Sequence, residues 1–295
     1  MAGIRELRGR IKSVGNIKQI TRAMEMVATT KLRKFQDRAV ASRPYSEEIS
    51  GLVGHLAAVL GSEVENRPLF CEGQGERTAV LVVSSDRGLC GAYNANLLRV
   101  LETWLAEPSA DEQEKLDFFV YGRKAYQYLT TRGRKVERYF HDPELEKIDF
   151  RGAANVARTL VESFLGGEYR DVRVLYTAFE SMAKYVPTWV DFLPIQSSSL
   201  TAGGDESRAG VDVILEPDAE TIFDSLVPRY LETRMYNALI EALTSEYASR
   251  RMSMKNATDA AGDMQKELKS IYNRKRQETI TKELLDIVGG AEALR

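Results

Sequence analysis

The chain has 295 residues, 43% of them hydrophobic, and a formal net charge of −2 that hides a sharp asymmetry. That length suits one large domain or two of ordinary size. No apolar run approaches the ~20 residues of a membrane-spanning helix, and the N-terminus MAGIRELRGRIK carries charges where a signal peptide has its apolar core. Residues 1–43 hold eleven Lys/Arg against three acids, a net of +8. Residues 44–228 carry a net of −12, and the segment from Arg229 onward a net of +2. Such polarity points to an acidic or nucleic-acid partner for the basic end.

From Gly3 to Val59 the sequence reads as helix. Ile4, Leu7, Ile11, Val14, Ile17, Ile20, Met24 and Val27 recur at steps of three and four, the signature of one apolar stripe. Leu32 and Phe35 extend it, and Ile49, Leu52, Val53, Leu56 and Val59 resume it. Gly9 and Gly15 each weaken the helix by about 1 kcal/mol relative to Ala. Pro44 lacks an N–H and clashes with the preceding turn, so a kink or an end near Arg43 is expected.

The middle of the chain changes pattern. Strands are expected over Ala79–Ser84, Leu116–Tyr121, Lys135–Tyr139, Val172–Phe179, Trp189–Ile195 and Val211–Leu215. Helices over Ala92–Leu105, Arg123–Arg132 and Ala153–Leu165 alternate with the first four. This β-α-β-α order predicts an α/β domain with a largely parallel, Rossmann-like sheet. SSSLTAGGDESRAG (197–210) has the composition of a mobile loop.

Pro228 suits a first helical turn, and a single helix over 229–288 would span about 90 Å. A small globular domain is about a third of that, so the helix is expected to project. Ala257, Ala261, Met264, Leu268 and Ile271 keep a 4-3-4-3 rhythm that breaks at Lys275 and restarts with Ile280, Leu284 and Ile287. Two such terminal helices can bury their stripes against each other, alanines in the seam favouring close approach. The expected fold class is therefore α/β: a long antiparallel coiled coil of the N- and C-terminal helices with an inserted Rossmann-like α/β domain. Its divisions are an N-terminal helix (1–60), a central domain (75–216) and a C-terminal helix (217–295).

The chemistry is sparse. VLVVSSDRGLCGAYN (80–94) ends a strand in a glycine-bearing turn before a helix, where nucleotide-binding folds place their phosphate loop. The Walker pattern needs a lysine after its last glycine, but Gly91 is followed by Ala92 and Tyr93; Gly88 and Gly91 give only GxxG. A helix N-terminus there still attracts anions. The plainer reading is a tight strand-to-helix turn whose Asp86 and Arg87 suit a protein contact. His55 and His141 lack metal-site spacing, His55 reads as packed on a helix face, and no GxSxG occurs. Cys71 and Cys90 form no CxxC and read as reduced cytosolic thiols. No catalytic, metal or cofactor-binding residue is expected. Arg5, Arg8, Lys12, Lys18, Arg22, Lys31, Arg33 and Lys34 form a basic helix that can neutralise phosphates. It has no aromatic before Phe35 and no helix-turn-helix spacing. Solvated coiled-coil face, nucleic-acid binder and basic shaft meeting acidic protein loops all stay open on these residues alone.

Three segments carry a family likeness. ITRAMEMVATTKLRK (20–34), SSDRGLCGAYN (84–94) and YNRKRQETITKELLDIVGGA (272–291) resemble the gamma subunit of F-type ATP synthases, in order and at that family's distances. The resemblance implies a rotor shaft of two terminal helices turning inside a ring of alpha and beta subunits. It also implies a foot that meets the epsilon and delta subunits and the membrane ring of c subunits. Such a chain couples transmembrane proton flow to ATP synthesis on beta. It performs no chemistry itself, has no nucleic-acid partner, direct small-molecule substrate or cofactor, and sits as a peripheral protein on the cytoplasmic face of a bacterial inner membrane. By the same likeness Met24 lies opposite a mobile acidic loop of beta, with Arg33 and Lys34 on the basic face of that helix. Asp86, Arg87 and Cys90 fall near a beta subunit, and Arg276, Gln277 and Thr281 match positions that touch a beta catch loop. The family commonly reads RMxAMK where this chain has RRMSMK (250–255), so Arg250 is the contact candidate and Arg251 replaces methionine. Chloroplast members carry a cysteine pair in the lower domain; 197–210 has none, which implies a bacterial source.

Overall fold

The computed structural model describes residues 3–107, 113–182, 184–196, 216 and 218–293, with side chains to Val288. The expected strand over 211–215 and the loop 197–210 lie outside the described residues. Helix α1 covers Ile4–Leu60, followed by a 3-10 turn, Gly61–Asn66. Then come β1 (Arg77–Val83), α2 (Tyr93–Leu105), β2 (Leu116–Tyr121), α3 (Arg123–Thr131) and β3 (Val136–Phe140). A short 3-10 turn at Leu145–Lys147 leads to α4 (Phe150–Leu165), β4 (Tyr169–Phe179), β5 (Tyr185–Leu193) and α5 (Ala219–Ala293). Two compact units result, one of residues 1–30 with 250–295 and one of residues 31–249.

Pro44 does not end its helix and Pro228 does not open one: Pro44 lies inside α1 and Pro228 inside α5. Each leaves the carbonyl four residues earlier without its helical donor, and those residues, Val40 and Asp224, are exposed. Helix α5 opens instead at Asp218, whose carboxylate accepts from the Thr221 N–H (2.8 Å) and hydroxyl (2.9 Å). That is an ordinary N-cap, and these bonds, the backbone one first, hold the Asp218 pKa below its usual value.

In the unit of residues 31–249, the sheet order is β3-β2-β1-β4-β5, with β1 to β4 parallel and β5 antiparallel to β4. Strand β1 is central, and Thr78 to Val83 are all buried. That explains its continuous apolar run, because a parallel strand covered on both faces has no solvent side. On one face Val80, Val82, Phe118, Val120 and Leu175 pack with Leu97, Leu101 and Leu105 of α2 and Ala125 and Leu129 of α3. Helix α4 packs beside β4, and its Arg158 and Phe150 meet Glu232 and Tyr236 of α5. Leu32, Phe35, Ile49, Val53 and Leu56 of α1 are buried in this unit, and the Phe35 ring lies 5.3 Å from that of Tyr247 on α5. His55, expected to pack, is exposed on the outer face of α1.

In the unit of residues 1–30 and 250–295 the two helices pair antiparallel. Arg8 donates to the Tyr272 hydroxyl (3.0 Å), and the Thr258 hydroxyl meets that of Thr21 (2.8 Å). Residue numbers therefore rise on one helix as they fall on the other. The covered positions of α1 include Ile4, Leu7, Ile11, Val14, Lys18, Thr21, Glu25 and Ala28, alternately three and four apart, with Gly15 covered beside Val14. This 3.5-residue period keeps a seam facing its partner. The apolar stripe read from sequence leaves that track after Val14. Ile17, Ile20, Met24 and Val27 are 52%, 56%, 40% and 55% exposed, one position off the seam. On α5 the covered positions include Met254, Ala257, Thr258, Ala261, Gly262, Gln265, Leu268, Tyr272, Lys275 and Thr279, so the seam runs through Lys275 rather than breaking there. Met264, Ile271, Ile280, Leu284 and Ile287 face outward.

Gly122 offers a test of the domain's geometry. Its φ of +104° is in the region that side chains rarely adopt, and an added Cβ would collide with the Ser84 carbonyl. Gly122→Ala is expected to destabilise the domain by at least about 2 kcal/mol, read as a lowered thermal midpoint. Gly88→Ala, with open space at its Cβ, should shift the midpoint by under about 0.5 kcal/mol equivalent.

Candidate subunit-contact surfaces

In an open parallel sheet, ligands enter outside the carboxyl ends of the strands, where the strand order reverses. Here that crevice lies between β1 and β4 and begins at Ser84-Ser85-Asp86. Helix α5 fills it. The Ser249 hydroxyl donates to the Cys90 carbonyl (2.6 Å), and the Tyr93 hydroxyl donates to the Ala242 carbonyl (3.2 Å).

The neighbouring amides at the start of α3 are taken. The Arg123 N–H donates to Asp86 Oδ1 (3.0 Å), the Lys124 N–H to the Ser85 carbonyl (3.1 Å) and the Ala125 N–H to Ser84 Oγ (2.9 Å). Ser85 and Asn94 bond each other, and Asn94 also donates to Cys90 Sγ (3.1 Å). The turn is a hydrogen-bonded strand-to-helix junction tied to α3. Among the described residues no group of three or more His, Cys, Asp or Glu side chains is placed to hold a metal.

The same turn presents an outer edge. Leu89 takes φ +62°, unusual for a residue with a side chain, and stays 61% exposed. A left-handed non-glycine residue costs roughly 1–2 kcal/mol, and strain of this kind concentrates at functional sites. Arg87 beside it is exposed, with Nη2 3.9 Å from Glu144. Asp86 is half-buried and committed to capping α3, and Cys90 is buried, with Asn94 donating to its sulfur. Of the three candidates here, only Arg87 is fully available at the surface.

The other candidates lie elsewhere. Met24 stands in the outward apolar row of α1; Arg33 and Lys34 are exposed and carry no salt bridge among the described residues. Arg250 and its neighbour Arg251 are half-buried, and Arg276, Gln277 and Thr281 are exposed on the C-terminal part of α5.

One network was not legible from the sequence. Lys31 pairs with Glu146 of the short turn after β3, the Tyr247 hydroxyl donates to Glu146 Oε2 (2.6 Å), and the Lys31 ammonium lies 5.6 Å from the Tyr247 ring centroid. Burial pushes the Glu146 carboxyl up, but the Lys31 and Tyr247 hydrogen bonds outweigh it, and its pKa is lowered on balance. Nothing in the local sequence of Glu146 marks this role, because the partners come from α1 and α5.

A family model described as ATP synthase matches residues 3–294. The chain is 42% identical to the ATP synthase gamma chain of Mycolicibacterium gilvum, over 99% of this chain and 98% of that one. The corresponding chain of Cytophaga hutchinsonii is 38% identical over 100% and 99%. The chain belongs to the ATP synthase gamma-chain family. Its fold is that of a chain in the cryo-EM structure of Euglena gracilis mitochondrial ATP synthase (OSCP, F1 and c-ring, rotational state 3), with a TM-score of 0.67 at 20% identity over 99% of this chain and 94% of that one. A chain in the Tetrahymena thermophila mitochondrial central stalk and c-ring structure aligns with a TM-score of 0.58 at 22% identity, over 81% and 99%. The coiled-coil and Rossmann-like architecture is thus that of the family. No described helix is long and apolar enough to cross a membrane.

The lowered Glu146 pKa fixes the sign of a pH effect. A carboxylate held below its unfolded value contributes stability above that unfolded pKa and loses it as pH falls through the folded one. Glu146→Gln is expected to cost about 1.5 kcal/mol at pH 7. The difference between the two chains' urea midpoints should shrink as the pH drops below about 4. A constant difference from pH 7 to pH 3 contradicts the ion pair.

Proposed function

We propose that this chain is the central rotor stalk subunit of an F-type ATP synthase, coupling transmembrane proton flow to ATP synthesis on the beta subunits. The supporting observation is the inverted packing of the paired helices. Their seam carries Lys18, Thr21, Glu25, Thr258 and Gln265, while Ile17, Ile20, Met24, Val27, Met264 and Ile271 face outward. Apolar residues scattered singly on a surface need no explanation, but rows of them beside unpaired cations mark a surface that meets other proteins.

On this reading residues 1–60 and 217–295 are the shaft helices and 75–216 the foot. The partners are the alpha and beta ring, the epsilon and delta subunits and the c-ring, with the chain peripheral on the cytoplasmic face of a bacterial inner membrane. It performs no chemistry itself. A single asymmetric shaft meets three chemically identical beta subunits with three different faces. Each face favours one conformation only by differential contact energy. Moving a two-state equilibrium from 1:99 to 99:1 takes about 5.5 kcal/mol, and proton flow supplies about 2.3 kcal/mol per charge per 100 mV. The contacts break every turn, so exposed, screened cations such as Arg33, Lys34 and Arg87 suit a bearing better than buried pairs. Met24, Arg250, Arg276, Gln277 and Thr281 are the further contacts of this proposal, and the 84–94 turn, with Asp86 and Cys90 behind its exposed tip, is the contact made by the foot.

Arg276 and Gln277 are exposed, so replacing both with Ala leaves the seam intact. The double variant, reconstituted with alpha and beta subunits, should keep its helical content and lose at least about tenfold in rotation-coupled ATP hydrolysis, some 1.4 kcal/mol. Wild-type hydrolysis and rotation in that variant would sink the assignment.

A further inference from the structure

Between the N-terminal part of α1 and the facing part of α5 runs a cleft of about 620 Å³. Five cations line it: Arg8, Lys12, Lys18 and Arg22 from α1, and Lys269 from α5, with no carboxylate in the lining. Arg8 donates to Tyr272; Lys12, Lys18, Arg22 and Lys269 have no salt bridge among the described residues. Nearby acids are engaged elsewhere or lie outside the lining: Glu6 pairs with Arg10 and Asp263 with Lys266.

Two glycines keep the cleft open. A Cβ on Gly15 would stand 2.9 Å from Gln265 Nε2, and one on Gly262 would stand 3.2 Å from Lys18 Nζ. Lys18 thus crosses α5 where that helix has no side chain.

Like charges packed within a Debye length of about 8–10 Å repel one another unless an anion joins them. From Arg8 to Arg22 the cations extend about 21 Å along the helix at 1.5 Å per residue, so a single small anion reaches only some of them. Lysine and arginine are donors with no acceptor. A ligand that satisfies them all is elongated, multiply charged and made of acceptors. A peptide fits this worse, because its backbone N–H groups need acceptors and the cleft offers only side-chain amides such as Gln19 and Gln265.

We propose that this cleft binds a linear oligophosphate, through Lys12, Lys18 and Arg22 on one wall and Lys269 on the other. The ligand chemistry is a chain of phosphates, whether free inorganic polyphosphate or the phosphate tail of a nucleotide. The proposal does not depend on the rotor reading.

Isothermal titration of the full-length chain with tripolyphosphate at low salt tests it, alongside magnesium-free ATP, orthophosphate and hexaglutamate. Tripolyphosphate is expected to bind with an affinity that falls as salt rises. Lys12→Gln/Arg22→Gln should weaken it at least tenfold, and Lys269→Gln alone at least threefold, with helical content unchanged by circular dichroism. Arg99→Gln/Arg151→Gln, which removes the same charge from exposed sites outside the cleft, should bind as the parent does. ATP competing with tripolyphosphate assigns the source to nucleotides; ATP failing to compete assigns it to inorganic chains. No tripolyphosphate binding, an equal loss in the control pair, or orthophosphate or hexaglutamate bound as tightly through the same residues overturns the proposal.

Discussion

Everything outside the α/β domain depends on one antiparallel seam. Between residues 1–30 and 250–295 the two helices join apolar residues such as Leu7, Val14, Ala28, Met254 and Leu268 with small and polar groups: Gly15 under Gln265, Gly262 under Lys18, and Thr21 against Thr258. A seam of large aliphatic residues would bury more apolar area and hold more tightly. What this arrangement yields instead is close approach of two backbones and an outer surface that keeps its apolar side chains. The strict spacing of three and four residues keeps the seam on one line of each helix, which leaves the remaining faces free to differ from one another. Such differences are what a single shaft needs in order to bias identical partners unequally.

The α/β domain has the topology of a nucleotide-binding sheet, but its sequence lacks the Walker and dinucleotide glycine patterns. Helix α5 is bonded to the turn after β1 through Ser249 and to α2 through Tyr93, and the amides opening α3 are capped by Ser84, Ser85 and Asp86. Gly122 is required by the same junction, because the Ser84 carbonyl lies where a side chain would begin. A shared topology does not by itself carry a function. What remains at the surface is the strained tip around Leu89.

The central strands and helices were legible because they are short and strongly patterned. Leu116–Tyr121 matches the expected strand at both ends, since a mostly apolar run between Lys115 and Gly122 leaves little choice. Pro228 misled because the N-cap at Asp218 opens α5 upstream of it. The stripe misled for another reason. Hydrophobicity located an apolar row at Ile17, Ile20, Met24 and Val27, but the face turned to the partner helix carries Lys18, Thr21 and Glu25. Hydrophobic periodicity identifies a core only when the chain buries its apolar residues in itself. The Glu146 network was invisible for a different reason, because it joins residues more than a hundred positions apart; of the basic cleft, the α1 cations were legible and the facing Lys269 was not. The contact residues came from resemblance, and the structure adds which of them reach the surface.

The central claim is that the paired helices move as one body while their outer faces make and break contacts. Its most direct test is to lock the seam. In a chain with Cys71 and Cys90 replaced by Ser, Thr21→Cys and Thr258→Cys place thiols where two hydroxyls now meet at 2.8 Å. The oxidised chain is assembled with alpha and beta subunits, and ATP-driven rotation is recorded before and after reduction. The account predicts the same rotation rate and torque in both states. Arrest on oxidation that reduction reverses would contradict it, showing that the helices must slide or part for the shaft to turn.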